Sequence, residues 1–317
     1  MQKRVSFKGM VEVFKDSFRG FSDDKIPKLS ASLAYYTVFS MAPLLIVIIF
    51  LCGLLLRREA VEGQIYAQLA GFMGSDNAEQ LQQTIKNASI AGKGGLAAVI
   101  GAITLLVGAT TVFAEIQDSI NFIWGLKPKP KRGWLKMLQN RLLSFSVIVS
   151  LGFLLLVSLA ISAIIDRFSE RLQIYFPDVA VAIFYVINVV VTIAVVTTIF
   201  GVIFKVLPDA KIKWKDVLLG AITTAVLFMI GKFGISFYIS KSNIGSTYGT
   251  AGSLAVLLLW IYYSSIILYF GAEFTKAYAM KYGSEIHPNH YAVTVKAVEV
   301  ETGNQSIQSK EDLNLNT

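Results

Sequence analysis

The sequence predicts an all-α integral membrane protein with six transmembrane helices. An interfacial amphipathic helix precedes them, and both termini lie in the cytoplasm. Three observations carry this reading. First, 54% of the 317 residues are hydrophobic and 16% are charged, whereas soluble chains average about 25% charged; the mean hydropathy is +0.59. Second, six apolar runs reach the roughly 20 residues that a helix needs to cross a bilayer. Third, basic residues alternate along the chain in step with those runs. The composition excludes disorder, which requires few apolar residues. The runs are too long and too uniformly apolar for the alternating strands of a membrane β-barrel.

The first element is residues 6–21, where Phe7, Met10, Val11, Phe14, Phe18 and Phe21 share one helical face and Lys8, Lys15 and Arg19 lie off it. This pattern fits a helix in the membrane interface, aromatic side down, or one packed on the inner ends of the bundle. The two are compatible. Asp23 to Pro27 then breaks the chain. The six spans follow at about 33–56, 94–114, 142–165, 179–204, 217–240 and 253–274. An outer loop at 57–93 reads as two short amphipathic helices that cap the bundle or gate it. The chain thus divides into a cytoplasmic and interfacial segment, 1–32, a transmembrane domain, 33–274, and a cytoplasmic tail, 275–317. The tail is polar and is expected to be largely flexible from about 284. The N-terminus lacks the apolar stretch of a secretory signal peptide.

With the N-terminus inside, the segments 1–32, 115–141, 205–216 and 275–317 hold 21 Lys and Arg, and the outer segments hold 7. Positive charge concentrates on the cytoplasmic side of membrane proteins, and this places both termini there. The densest cluster, Lys127, Lys129, Lys131 and Arg132, reads as a topology determinant beside anionic lipid and not as a nucleic-acid surface. The net charge of +8 is explained the same way.

Little chemistry is legible. The two histidines, His287 and His290, lie in the tail, and Cys52 lies in an apolar run. No metal site is expected, since zinc needs several converging His, Cys or carboxylate ligands. Neither a phosphate loop nor a nucleophile elbow is present. The expectation is therefore no catalytic residue, no cofactor and no enzyme.

Polar residues inside the spans are more informative, because burying them in lipid is costly. Lys232 sits about sixteen residues into the fifth span, roughly 22 Å from its inner end. It either faces a wet cavity and binds phosphate or carboxylate, or snorkels to the outer headgroups. Glu115 and Glu273 close the second and sixth spans at equivalent positions. These spans share six identities at an offset of 158, a hint of the internal repeats found in transporters. Glu273 lies about 20 Å from Lys232 in depth, too far for an ion pair. Pro43 should kink the first span. Gly94, Ala98 and Ala102 form a small-residue face suited to close helix contact. Trp260, Tyr262 and Tyr263 fall near the middle of the sixth span. Their polar groups need partners there, from a substrate path or from across the bundle.

Three motifs carry a resemblance. The run 31–43, Ala-Ser-Leu-Ala-Tyr35-Tyr36-Thr-Val-Phe-Ser-Met-Ala-Pro43, resembles the first-span signature of the YihY/BrkB family of bacterial inner-membrane proteins. So does Ser119-Ile120-Asn121-Phe122-Ile123-Trp124-Gly125. The third is Thr247-Tyr248-Gly249-Thr250-Ala251-Gly252-Ser253, continued by 258–265 and by Gly271-Ala272-Glu273-Phe274. The resemblance covers about 10–280. It implies six membrane helices in the bacterial inner membrane. Members have been labelled ribonuclease BN, which the missing ligands do not support. Others are associated with serum resistance, salt tolerance and envelope lipid traffic.

The resulting expectation is a transporter or translocator of a lipid or small polar solute, without an ATP motif of its own. The expected transport path is Tyr35, Tyr36, Pro43, Lys232, Tyr248, Trp260, Tyr262, Tyr263 and Glu273. Membrane lipids are the expected partners, with envelope proteins or self-association as further possibilities and no nucleic acid. The alternative is a scaffold in an envelope-assembly complex.

Overall fold

The computed structural model describes residues 6–53, 95–129, 177–241, 252–283 and 286–295, with Gly63, Tyr66, Glu79, Gln83, Ser146, Val147 and Ser150 as single positions. Most of the third predicted span and of the outer loop lies outside the described residues. Within the described residues there are six long helices: α1 (Phe7–Asp23), α2 (Ile26–Gly53), α3 (Gly95–Ile123), α4 (Pro177–Val206), α5 (Trp214–Lys241) and α6 (Gly252–Lys281).

Local chemistry sets several ends. Ser6 caps α1, its hydroxyl accepting from the Gly9 amide at 3.4 Å, and short polar residues are favoured there. The break before the first span is only Asp24 and Lys25, with Lys25 in the left-handed region at φ 52°. α2 starts at Ile26 with Pro27 in its first turn, where proline costs no hydrogen bond, and it runs through Pro43 without interruption. α4 opens on Pro177. α5 carries Asp216 in its first turn, matched to the positive helix end.

α3 packs on α2, α2 on α6, α6 on α5 and α5 on α4, and α1 lies along α6. α5 shows how the faces divide. Leu218, Ile222, Val226, Ile230, Phe233 and Phe237 are exposed at helical spacing, while Val217, Ala221, Thr224, Ala225 and Ile235 are buried. A row of large apolar side chains turned outward over a face of small ones is the reverse of a soluble helix. Three helices among the described residues are long and apolar enough to cross a membrane: Val186–Val206, Trp214–Ile235 and Leu254–Lys281.

α5 and α6 interlock reciprocally. The Thr275 side chain fills the space beside Gly220, and that of Thr224 fills the space beside Gly271. Each hydroxyl returns its hydrogen bond to the glycine carbonyl four residues earlier on its own helix, both at 2.7 Å. No threonine donor is left unpaired in the contact.

Four short strands gather at one end of the bundle, here called the base. β1 (Leu126–Pro128) pairs antiparallel with β4 (Ala292–Thr294), and β2 (Ala210–Lys211) with β3 (His287–Pro288). Val295 N–H donates to the Gly125 carbonyl at 2.7 Å, and Lys129 N–H to the Tyr291 carbonyl at 2.7 Å. Gly125 has φ +65°, a conformation glycine adopts without strain. The expectation of a largely flexible tail from about 284 does not hold for residues 286–295. Residues 286–295 are tied back by main-chain pairing, which polar composition does not reveal. Both histidines fall in this stretch, and Lys211 Nζ lies 3.4 Å from His290 Nε2.

Candidate functional site

The best-built polar constellation lies at the base. Asp209, in the α4–α5 connection, is 2% exposed, and Gln117 and Asn121 of α3 are 1% and 3% exposed. Gln117 Nε2 donates to Asp209 Oδ1 at 3.1 Å and Asn121 Nδ2 to Oδ2 at 3.1 Å. Asn121 Oδ1 in turn accepts the Asp209 amide N–H at 2.8 Å. Asn289 N–H donates to the Asp209 carbonyl at 3.0 Å. A carboxylate out of water needs such donors. Segments around residues 120 and 289 thus converge on Asp209, the first on its carboxylate and the second on its main-chain carbonyl.

Beside it, α6 presents Gly271, Ala272, Glu273 and Phe274 to different neighbours. Gly271 meets Thr224 of α5. The Ala272 carbonyl accepts from Trp124 Nε1 at 3.1 Å. Glu273 lies against Gly20 of α1. Phe274 packs on Phe14 with ring centroids 4.9 Å apart. Lys276 Nζ donates to the Ile123 carbonyl at 2.6 Å and to Asp24 Oδ2 at 3.2 Å, and lies 3.5 Å from Glu273 Oε2.

α1 packs lengthwise and antiparallel along this stretch. Gly9 meets Tyr282, and Phe18 meets Phe270 at 5.0 Å. The packed arrangement of the amphipathic helix is therefore present. Phe7, Val11 and Phe18 remain exposed.

The sequence-predicted residues fall into separate places. Glu273 is buried. Glu115 is half-buried and accepts from Ser32 Oγ at 2.6 Å. Neither closes its helix: α3 continues to Ile123 and α6 to Lys281. Lys232 is half-buried on α5. The Tyr263 ring end occupies the space beside the adjacent Gly231. The α5–α6 register sets Lys232 level with Tyr262 and Tyr263, about 15 Å along the axis from Glu273. Trp260 meets Phe228 edge-on at 6.3 Å, and Phe228 meets Phe200 at 6.0 Å, a ladder across α6, α5 and α4. Tyr35 and Tyr36 are 57% and 39% exposed. Tyr248 and the Pro43 side chain lie outside the described residues.

Asp209, Gln117 and Lys276 were not singled out from the sequence. Their signal was modest: Gln117 and Asn121 stand four apart on one helical face just past an apolar run, and Glu273 and Lys276 stand three apart. Among the described residues, no group of three or more His, Cys, Asp and Glu is placed to hold a metal ion.

Outward apolar faces and a buried polar base define a helical membrane protein. The chain matches the family model described as Virulence factor BrkB over residues 17–293. It belongs to that family. It is similar to a UPF0761 membrane protein of Ralstonia nicotianae, 27% identical over 266 residues, covering 81% of this chain and 56% of that protein. A UPF0761 membrane protein of Pseudoalteromonas atlantica is 24% identical, covering 84% and 85%. One of Tolumonas auensis is 26% identical, covering 80% of each. The chain thus spans little more than half of the Ralstonia protein. No solved structure matches.

Proposed function

We propose that the protein is an inner-membrane transporter or translocator of a lipid or small polar solute, running downhill or on an ion gradient. The observation that carries this reading is Lys232. It is half-buried, it lies within an otherwise apolar stretch of α5, and it is level with the Tyr-bearing turn of α6. Ionisable side chains within membrane spans are costly and tend to mark substrate or ion pathways, while a lysine near a span end can also reach the headgroups.

Six crossings with both termini cytoplasmic is the topology that goes with it, and chain geometry supports it. The ends of α3 and α4 and the start of α5 meet at the base with α1 and residues 286–295. α4 has 30 residues, about 45 Å at the helix rise, so it begins far from the base. The described parts of the basic segments counted as cytoplasmic adjoin the base.

The test is lipid translocation in proteoliposomes, with fluorescent phospholipid in both leaflets and an impermeant quencher outside. Wild type is expected to lose signal well beyond the outer half, Lys232→Arg to retain this and Lys232→Ala to lose it. If a folded wild type stops at half, bulk phospholipid is not the cargo. Unchanged behaviour of Lys232→Ala removes the site assignment.

A further inference from the structure

The base contains a charge count that does not balance. Asp24 and Glu273 both meet one ammonium, Lys276 Nζ, at 3.2 and 3.5 Å. These are the charged groups that act on Glu273: Asp24 from the turn after α1, and Lys276 from α6 itself. At the end of α3 the lysine also serves the Ile123 carbonyl. The two carboxylates are not equivalent. The Asp24 side chain is 23% exposed and that of Glu273 is 3% exposed. Glu273 Oε1 is buried and has no hydrogen-bond partner among the described residues. The site is shaped around this carboxyl group, since a Cβ at Gly20 would stand 2.6 Å from Oε2 and 2.9 Å from Oε1.

We propose that Glu273 is an exchangeable proton-binding site, reached from the base through Asp24. One ammonium offsets one carboxylate. With both ionised, the one ammonium is shared and the Glu273 side chain, 3% exposed, carries a charge that is not fully offset, which burial disfavours. A proton on Glu273 makes the trio neutral, and it belongs on the more buried acid. Release breaks the Glu273 O–H bond, passes the proton to the Asp24 carboxylate and from there to water. No other reactant is needed. As the coupling ion of a translocator the proton rests on the reading above; the site itself does not.

Infrared spectroscopy of the reconstituted protein tests the site without any transport measurement. Between about pH 5 and pH 9, spanning the range where a perturbed carboxyl titrates, wild type should lose one protonated-carboxyl band. Uniform 13C-glutamate labelling should shift that band, which assigns it to a glutamate and not to an aspartate. Glu273→Gln should lack it. Asp24→Asn frees Lys276 for Glu273 and should move the midpoint to lower pH, and Lys276→Met should move it higher. A wild type with no such band, or with one unchanged across the range, overturns the proposal. A titrating band in a protein that moves no lipid or solute removes the transport reading and leaves the proton site standing.

Discussion

Asp209 is gripped by the two side-chain amides of α3, and each donates to a different carboxylate oxygen. Asn121→Leu deletes two of these bonds and strands the Asp209 amide. At about 1.5–3 kcal/mol for a hydrogen bond to a charged group, a loss of about 3 kcal/mol is expected, read as a lower melting temperature in detergent. Gln117→Leu should cost about half as much. At the surface, the Lys281 ammonium hydrogen-bonds Glu12 and holds its carboxyl below the usual carboxylate range. The stabilisation from this pair is therefore complete at neutral pH and disappears as pH falls through the lowered value. Glu12→Gln should flatten that acid limb. Asn121 was visible in the sequence as part of a motif. Its role was not, because its partner lies 88 residues away and no local pattern announces a contact of that range.

The α5–α6 contact makes a sharper comparison at the scale of elements. Gly271→Val drives a branched side chain into Thr224, whereas a Cβ at Gly234 meets nothing within 4 Å. Gly271→Val should lower the melting temperature, and Gly234→Ala should hold or raise it, since glycine costs a helix about 1 kcal/mol relative to alanine. Thermal unfolding of the two purified variants checks the pair. Helix existence was legible from apolar length, and all five described helices beyond α1 fall where runs were found. Their bounds were less legible. α2 begins at Ile26, not near 33, and α3 ends at Ile123, not near 114. Hydropathy measures the stretch suited to lipid, while a helix ends where its hydrogen bonds stop. Gln117, Asn121 and Lys276 continue their helices as polar residues with polar partners.

Across the whole molecule, the four strands fasten the C-terminal stretch to two distant connections. A chain ending at residue 295 should melt like the full-length protein. One ending at 283 loses β3, β4 and the Asn289 contact to Asp209, and should melt lower and be cut faster by protease near 126–129 and 207–213. Equal stability of the two chains would mean that the strand pairs do not hold the base together. This clasp was invisible in the sequence, because two- and three-residue strands have no periodicity to detect. The membrane class and the family, by contrast, were legible at once, since both rest on composition and contiguous motifs.

Gly271 to Phe274 have one further consequence. Successive helical residues point about 100° apart, so four in a row face around the full circle. At that level α6 is hemmed in by α5, Trp124 and α1, with no open side. Farther along, Leu254 and Leu258 are exposed. A swing of α6 would therefore pivot near Glu273, with the largest displacement toward the far tip and the smallest at the proposed proton site. Amide exchange should accordingly be slowest at 268–276 and fastest toward 254, and a small charge event at the fulcrum would be geared into a larger displacement at the tip.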